Sequence, residues 1–323
     1  MTRKEALRKF HEEEMEYLEE KKLQFYNGLQ QQAEELSGEI REAFKNLKEE
    51  VQRLEKEKIM FFYFSLLRVD MLGGEYRFFL QAFDARWYMD SEPAETTFSL
   101  DFLFSTLEEV KKKLTLDAGK YMGKINRYDI SEILQNNAME WNHILAGELR
   151  FLFRDIEENK DFAEIPKLDT WGIYWGEYRD ASELTAFVDR EKKYQKDWER
   201  ALRLSKEQED ALISKYWYFM DVKESDGRGK YFLFNEFENC TLTQISFDDS
   251  NLSGSRFKDC TIKGCSFRNA VIRQADFVNC KWEDNDFTGA DLTNSIFLEK
   301  DIPFLHMEPE QLQTILIDRR ANG

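Results

Sequence analysis

The sequence predicts an α+β protein. A helical amino-terminal domain with a long coiled-coil-like helix and a small β-hairpin precedes a short tract of five-residue repeats and a closing helix. Residues 3–58 contain no proline and are dense in Glu, Lys, Gln and Leu, a composition that favours helix. From Phe237 to Phe297 a large apolar residue stands at every fifth position, and neither a helix nor a strand has that period.

Length and charge narrow the class of protein. The chain has 323 residues, enough for two domains at roughly 150 residues each. A 42% apolar content excludes global disorder, because it supplies a core. The net charge of −17 repels phosphate, so we expect no nucleic-acid partner. The first residues lack an apolar signal region, and no apolar run is as long as a bilayer span, so we expect a cytoplasmic protein without membrane contact.

Residues 1–58 are predicted to form one long helix or a helical hairpin. From Leu36 onward the apolar positions recur at steps of three and four, which is typical of a helix with one packing stripe. An unbroken helix would reach roughly 80 Å, so a coiled coil is expected, with a homo-oligomer through this helix as one consequence.

Residues 59–222 are predicted to be mixed and mainly helical. Gly73-Gly74 lies between two apolar runs and predicts a hairpin near residues 60–90. Pairing about this turn places Leu67 opposite Leu80, Val69 opposite Phe78 and Asp70 opposite Arg77.

Two further helices are predicted in this region. A capping box starting at Asp129 opens one helix, and the Glu/Lys/Leu-rich residues 182–215 indicate another. Residues 223–230 form the most polar, Gly-bearing stretch, and we expect them to be a linker.

The five-residue period fits a square coil with four five-residue sides, each side sending two residues inward. The large inward residues are Phe237, Leu242, Phe247, Leu252, Phe257, Ile262, Phe267, Ile272, Phe277, Trp282, Phe287, Leu292 and Phe297. A mostly small residue stands two positions before each. Residues twenty apart then stack, so phenylalanines form ladders on two opposite sides.

Two units carry a family resemblance most clearly: Ala290-Asp291-Leu292-Thr293-Asn294 and Ala275-Asp276-Phe277-Val278-Asn279. Residues 231–302 resemble the pentapeptide-repeat family, which implies a right-handed quadrilateral β-helix. Residues 64–90 are similar to uncharacterised bacterial chains that join a helical front half to such repeats, which implies the same two-part architecture and no known activity. Residues 303–323 are then expected to be a capping helix and tail.

All four cysteines occupy the small inward position: Cys240, Cys260, Cys265 and Cys280. Their spacing follows the repeat, so packing explains it better than a disulfide or a zinc site. Ile245 and Asn285 are oversized for the small position and Trp282 for the large one, which predicts local distortion.

No catalytic motif is present, and the three histidines lie in separate segments. We therefore expect no enzyme, no catalytic residue, no metal and no cofactor. The binding candidates fall in two aromatic runs: Asp84, Arg86, Trp87, Trp171, Tyr174 and Trp175. An ion pair at a strand end and core packing are the simpler explanations for them.

The favoured function is a structural or protein-interaction protein that uses the solenoid as a rigid scaffold, with its protein partner unknown. One alternative is a topoisomerase (gyrase) modulator that mimics DNA. The short tract and its outward basic residues count against that alternative: Arg256, Lys258, Lys263, Arg268, Arg273 and Lys281. The other alternative is a small-ligand or sugar site in the aromatic middle region.

Overall fold

The computed structural model describes residues 1–71 and 73–318, and the chain forms two compact units, Met1–Ala186 and Phe187–Gly323. Helices dominate the first unit and a parallel β-coil the second, so the predicted α+β class is confirmed. Among the residues described, none of the helices combines the length and the apolarity needed to cross a bilayer.

The first unit packs helices against one sheet. Its helices are α1 (Arg3–Gln31), α2 (Ala33–Arg53), α3 (Arg68–Met71), α4 (Asp101–Phe104), α5 (Thr106–Ala118), α6 (Arg127–Leu152) and α7 (Lys160–Ala163). Its strands are β1 (Ile59–Leu66), β2 (Arg77–Asp84), β3 (Ala94–Ser99), β4 (Lys167–Glu177) and β5 (Ser182–Asp189). The strand order is β3-β2-β1-β4-β5. β1 runs antiparallel to β2 and parallel to β4.

One face of this sheet forms the core, because side chains alternate between the two faces of a strand. The fully buried core residues of this face include Phe62, Phe64, Phe78, Leu80, Ile173 and Trp175. Phe44 of α2 packs edge-on against Phe64, with centroids 5.5 Å apart. The opposite, outer face of the sheet is also rich in aromatic residues.

The amino-terminal helix is bent rather than continuous, since Gln32 alone separates α1 from α2. A helical hairpin is excluded, because antiparallel helices need a loop of about 2–5 residues. The apolar stripe of α2 packs on its own unit, where Phe44 lies 4.8 Å from Phe162 of α7. This stripe therefore contributes to the core of its own unit, and the coiled coil expected for residues 1–58 stays a prediction.

The hairpin predicted near residues 60–90 is present with a different register. Leu80 pairs with Phe64 and not with Leu67, because α3 takes up part of the connection. Val69 consequently leaves the ladder and is 75% exposed.

Of the ion pair and the capping box predicted in this unit, the first is confirmed and the second is displaced along the chain. The ion pair forms as expected, with Arg77 Nη2 lying 3.0 Å from Asp70 Oδ1. The capping box of α6 lies one turn earlier than predicted, with Asn126 as the N-cap and Asp129 as its partner.

The helix predicted over residues 182–215 is wrong in its first part, where β5 forms. Thr185 and Val188 are β-branched residues that favour a strand, and Thr185 Oγ1 donates to the Ile173 carbonyl at 3.0 Å. The helical composition starts only after β5, and it forms α8 (Gln195–Leu204).

The second unit is a β-solenoid of about five turns. Its strands are β6 (Tyr216–Tyr218), β7 (Asp221–Asp226), β8 (Glu236–Glu238), β9 (Thr241–Ser246), β10 (Arg256–Lys258), β11 (Thr261–Lys263), β12 (Asp276–Val278), β13 (Lys281–Glu283), β14 (Ile296–Leu298) and β15 (Leu316–Asp318). Two parallel sheets result, β6-β8-β10-β12-β14-β15 and β7-β9-β11-β13. Paired residues are twenty apart, as Phe257 with Phe277, so one turn takes four five-residue sides.

The expected linker at residues 223–230 belongs to the first turn of the solenoid. β7 pairs with β9, and the Gly229 amide donates to the Asp248 carbonyl at 2.9 Å. The apolar period is hidden here because Gly227 stands where the later turns have phenylalanine. The solenoid therefore starts well before residue 231.

The expected capping helix is a single turn, α9 (Pro309–Leu312), followed by β15. Gln311 is buried, and its Nε2 donates to the carbonyls of Phe287 and Ala290 at 2.7 and 2.9 Å. Because β15 then pairs with β14, both a helical turn and a strand close this end. The rest of the predicted tail, residues 319–323, lies outside the described residues.

Candidate functional site

The solenoid interior contains two ladders of stacked rings. One ladder is Phe237, Phe257, Phe277 and Phe297, and the other is Phe247, Phe267 and Phe287. Neighbouring centroids in a ladder lie 4.6 to 5.1 Å apart, with planes within 17°. This distance is close to the strand spacing of a sheet, so every ring rests on the ring of the next turn.

The four cysteines are free and buried at the small inward position. Each thiol donates to a carbonyl one turn away, as Cys240 Sγ does to Trp217 at 3.1 Å and Cys280 Sγ to Phe257 at 3.3 Å. Burial raises the pKa of Cys265 to about 11, so the thiol stays protonated. Within the described residues, no group of three or more His, Cys, Asp or Glu side chains could hold a metal.

The oversized residues are accommodated by hydrogen bonds and by a longer strand. Asn285 Nδ2 donates to the Ile262 carbonyl at 2.8 Å, and its Oδ1 accepts from the Cys265 amide at 2.9 Å. Trp282 Nε1 donates to Asp301 Oδ2 at 3.3 Å. At Ile245, strand β9 continues through the corner of the coil.

The corners of the coil are left-handed. At every fifth residue from Ser214 to Asn294, φ lies between +49° and +71°. Asn, Asp and Gly fill 11 of these 17 corners, because they adopt this conformation at least cost. The recurrence of these corner residues was a further signal available in the sequence, and the first corner lies at Ser214.

The outward positions of the coil carry charge in bands, although Arg256 and Asp276 are buried. Residues 256–275 contain five basic and one acidic residue, whereas residues 276–295 contain one basic and five acidic residues. Ion pairs join these two turns on all four sides: Arg256–Asp276 at 3.2 Å, Lys263–Glu283 at 2.6 Å, Arg268–Asp286 at 2.5 Å and Arg273–Asp291 at 2.6 Å. The basic band interrupts the negative surface that a DNA mimic needs.

The six binding candidates separate into three groups. Trp171 and Trp175 are 2% and 1% exposed on the core face of the sheet, so they support packing. Asp84 and Arg86 form an ion pair, with Oδ2 and Nη2 2.6 Å apart, and the Arg86 guanidinium holds the pKa of Asp84 below its usual value. Trp87 and Tyr174 come together on the outer face.

We call the outer-face cluster of Phe61, Tyr63, Trp87, Tyr88 and Tyr174 the aromatic platform. Tyr63 stacks on Tyr174 at 4.7 Å and Trp87 on Tyr88 at 4.5 Å. Trp87 joins the two pairs, since its centroid lies 5.7 Å from Phe61 and 6.3 Å from Tyr63. Trp87 and Tyr88 are 42% and 64% exposed, and exposed aromatic patches of this kind mark interaction sites.

The turn Trp87–Met89 is anchored by a buried ion pair at its base. Lys56 Nζ lies 2.5 Å from Asp90 Oδ2, and Asp90 also accepts from the Asp84 amide at 3.1 Å. Burial alone would raise the pKa of Asp90, but hydrogen bonds from Lys56 and from backbone amides hold it below its usual value. The carboxylate therefore stays charged and fixes the turn.

Trp87 has a left-handed backbone, with φ at +57°. A bulky residue is an outlier in this region, and such strain often marks functional sites. Phe61, Tyr63 and Tyr88 were not among the binding candidates predicted from the sequence. The signal available in the sequence was that aromatic residues occupy both faces of β1. The core face needs only half of them, so the others indicate a second aromatic surface.

A parallel β-coil with a five-residue period defines a class of repeat solenoids, and residues 233–305 match the family model for the pentapeptide repeat region. The resemblance drawn from the repeats is thus confirmed. No curated protein gives a match.

Two solved structures illustrate the similarity. HetL, a pentapeptide repeat protein involved in heterocyst differentiation regulation from the cyanobacterium Nostoc sp. strain PCC 7120, is 16% identical over 27% of this chain and 40% of its own, with a TM-score of 0.26. Rfr23, a pentapeptide repeat protein from the cyanobacterium Cyanothece 51142, is 17% identical over 25% and 55%, with a TM-score of 0.23. This chain covers less than two thirds of either structure.

Proposed function

We propose that the chain is a non-enzymatic protein-interaction scaffold, with the solenoid as its rigid body and the aromatic platform as its recognition surface. The turn Trp87–Met89 is the observation that carries this proposal. Its three large side chains are 42%, 64% and 85% exposed, on a strained backbone fixed by the Lys56–Asp90 pair. Preorganised Trp and Tyr side chains are the residues that dominate binding energy at protein interfaces.

The solenoid supports the scaffold part of the proposal. Ring ladders, coil-to-coil hydrogen bonds and four ion pairs hold successive turns in one register. The outward residues of such a coil vary freely, because the inward positions alone carry the core. A rigid body of this kind suits presentation rather than chemistry.

The DNA-mimic alternative is not favoured. About five turns at roughly 4.8 Å each span about 24 Å, the length of some seven base pairs. The basic residues within 256–275 interrupt the negative charge along that length, which a DNA mimic would need to be continuous.

No observation on the described residues favours the sugar-site or the enzyme alternative. Asp84 and Arg86, beside the aromatic platform, form an ion pair with each other. His143 Nδ1 lies 2.7 Å from Glu183 Oε1, but its side chain is 77% exposed and Glu183 also binds Arg150. This arrangement is typical of a surface ion pair. Self-association through α1 and α2 stays a prediction, which light scattering checks.

Affinity capture from cells of the source organism tests the proposal. The tagged full chain is compared with W87G/Y88S, in which glycine suits the left-handed backbone. The control L116A/M122A removes two apolar residues that are 77% and 90% exposed elsewhere on the same unit. We expect W87G/Y88S to lose specific partners at least tenfold and the control to keep them. Equal recovery by both variants, with unchanged unfolding curves, would overturn the proposal.

A further inference from the structure

We propose that the aromatic platform binds a basic, arginine-bearing segment of a partner protein, whose guanidinium groups lie on the exposed faces of Trp87 and Tyr88. This inference rests on the proposed function and adds the chemistry of the partner.

The unit that carries the platform has a net negative charge, which is complementary to a basic ligand. Residues 1–186 carry 38 acidic against 26 basic side chains. Glu92 follows the turn by three residues and is exposed. In the described part of the chain, it has no ion-pair partner. The Arg53 guanidinium is the cation of this chain on which the Glu92 charge acts. A carboxylate close in the chain to an aromatic surface attracts and orients a cation.

A second carboxylate lies in line with the rings. The ladder pairs Tyr174 with Tyr63, Tyr63 with Gln81 and Gln81 with Glu95, so these four residues form one row across the outer face. Strands lie about 4.8 Å apart, which places Glu95 about 10 Å from Tyr63. Glu95 accepts only a neutral hydrogen bond, from Gln81 Nε2 at 3.2 Å, among the interactions the described residues make.

The platform rings differ from three other exposed tyrosines in this chain, although the exposed Tyr26 and Tyr231 also have no cation over the ring within the residues described. Tyr128, Tyr178 and Tyr194 each have a cation of their own chain over the ring, at 4.8, 5.2 and 5.6 Å. No such cation covers Trp87 or Tyr88 within the residues described, and Arg86 pairs with Asp84 instead. Trp is the strongest cation–π acceptor. Tyr88 and Phe61 cover part of the Trp87 ring, and the remaining exposed part, with Trp87 42% exposed, is the surface offered to a cation from outside.

Arginine fits this surface better than lysine. The planar guanidinium stacks flat on a ring while its N–H groups reach a carboxylate, whereas ammonium is a strongly hydrated point charge. An anionic lipid surface does not fit, because the acidic unit repels it.

Fluorescence of the full chain tests the inference. Trp87 is 42% exposed, whereas Trp141, Trp171, Trp175, Trp198 and Trp217 are at most 5% exposed. We expect an acetylated (Arg-Gly)4 peptide amide to change the emission saturably, and to bind at least threefold more tightly than (Lys-Gly)4. A peptide of alternating proline and glycine should leave the emission unchanged.

Calorimetry on variants tests the contributions of the rings and the carboxylates. We expect W87G/Y88S to abolish binding of (Arg-Gly)4 and E92Q/E95Q to weaken it at least fivefold. The control E34Q/E35Q, which neutralises two exposed carboxylates of α2, should bind as the unaltered chain does. Equal binding of the proline peptide, loss of affinity in E34Q/E35Q equal to that in E92Q/E95Q, or sedimentation with phosphatidylglycerol vesicles would overturn the inference.

The two proposals fail in distinguishable ways. If (Arg-Gly)4 does not bind while cellular capture still depends on Trp87 and Tyr88, the basic partner is wrong and the interaction function stands. If (Arg-Gly)4 binds as expected while capture is equal in both variants, the chemistry of the surface stands and its role as the main recognition surface fails.

Discussion

The indole of Trp198 stacks on the ring of Phe232, with centroids 5.4 Å apart and planes 6° apart. Trp198 also meets Phe247 edge-on at 6.2 Å, and its Nε1 donates to Ser225 Oγ at 2.8 Å. Gly227, one turn before Phe247, leaves its ladder position without a side chain. Helix α8 therefore caps the first turn by supplying a ring from outside the repeat.

Truncation of this cap should destabilise the solenoid strongly. We expect Trp198→Ala to lower the free energy of unfolding by about 3–5 kcal/mol, because it leaves a cavity against the first ring layer. Urea unfolding followed by circular dichroism measures this. Leu204→Ala, on the same helix at a residue 42% exposed, should change stability by less than about 0.5 kcal/mol. Similar losses in both variants would refute the capping role.

Two corner glycines form a matched pair. Gly254 and Gly229 both have positive φ, at +71° and +62°, but an added Cβ at Gly254 would lie 2.5 Å from the Phe234 ring, whereas Gly229 has open space. Alanine costs about 1–2 kcal/mol in this backbone conformation at either site. We expect Gly254→Ala to cost about 1–3 kcal/mol more than Gly229→Ala because of the clash. Equal denaturation midpoints would contradict the described contact.

The buried thiols should resist modification in the folded chain. Burial raises the pKa of Cys265 to about 11 and holds that of Cys280 above its usual range, and the thiolate is the reactive form. We expect no fast reaction of the four cysteines with a disulfide reagent at pH 8, and full reaction in urea. Rapid labelling of the native chain would mean that the repeat core opens or that the thiols face outward.

Acid should weaken the solenoid through Asp286. Hydrogen bonds from the Thr288 side chain and amide, together with Arg268, lower the pKa of Asp286 to about 2. A depressed pKa stabilises the folded state above the ordinary value of about 3.9, and this contribution disappears as the pH falls to about 2. Asp286 is partly exposed, so we expect about 1 kcal/mol.

Comparison with Asp286→Asn isolates this effect. The stability advantage of the unaltered chain should be full at pH 5 and should shrink between about pH 4 and pH 2, as measured by urea unfolding at each pH. An advantage that stays constant over this range would show that the Asp286 carboxylate does not stabilise the coil.

Periodicity explains which parts of the fold were predictable. The solenoid repeats one local rule, so thirteen large residues in phase were enough to indicate its coil. The first turn escaped because Gly227 interrupts the rule and Trp198 compensates from another element. Strand β5 was predicted as helix because the Glu- and Lys-rich residues that follow it favour a helix, and its few β-branched residues are a weaker signal.

The solenoid was predictable from the sequence, because each turn is specified by residues that return every five and every twenty positions. Tertiary structure decided the aromatic platform. Trp87 and Tyr174 lie far apart in the chain, and both reach Tyr63 because β1 pairs in parallel with β4 and the Lys56–Asp90 pair holds the turn near Tyr63. Since β1 has aromatic side chains on both faces, alternation alone does not show which partner strand completes the outer surface.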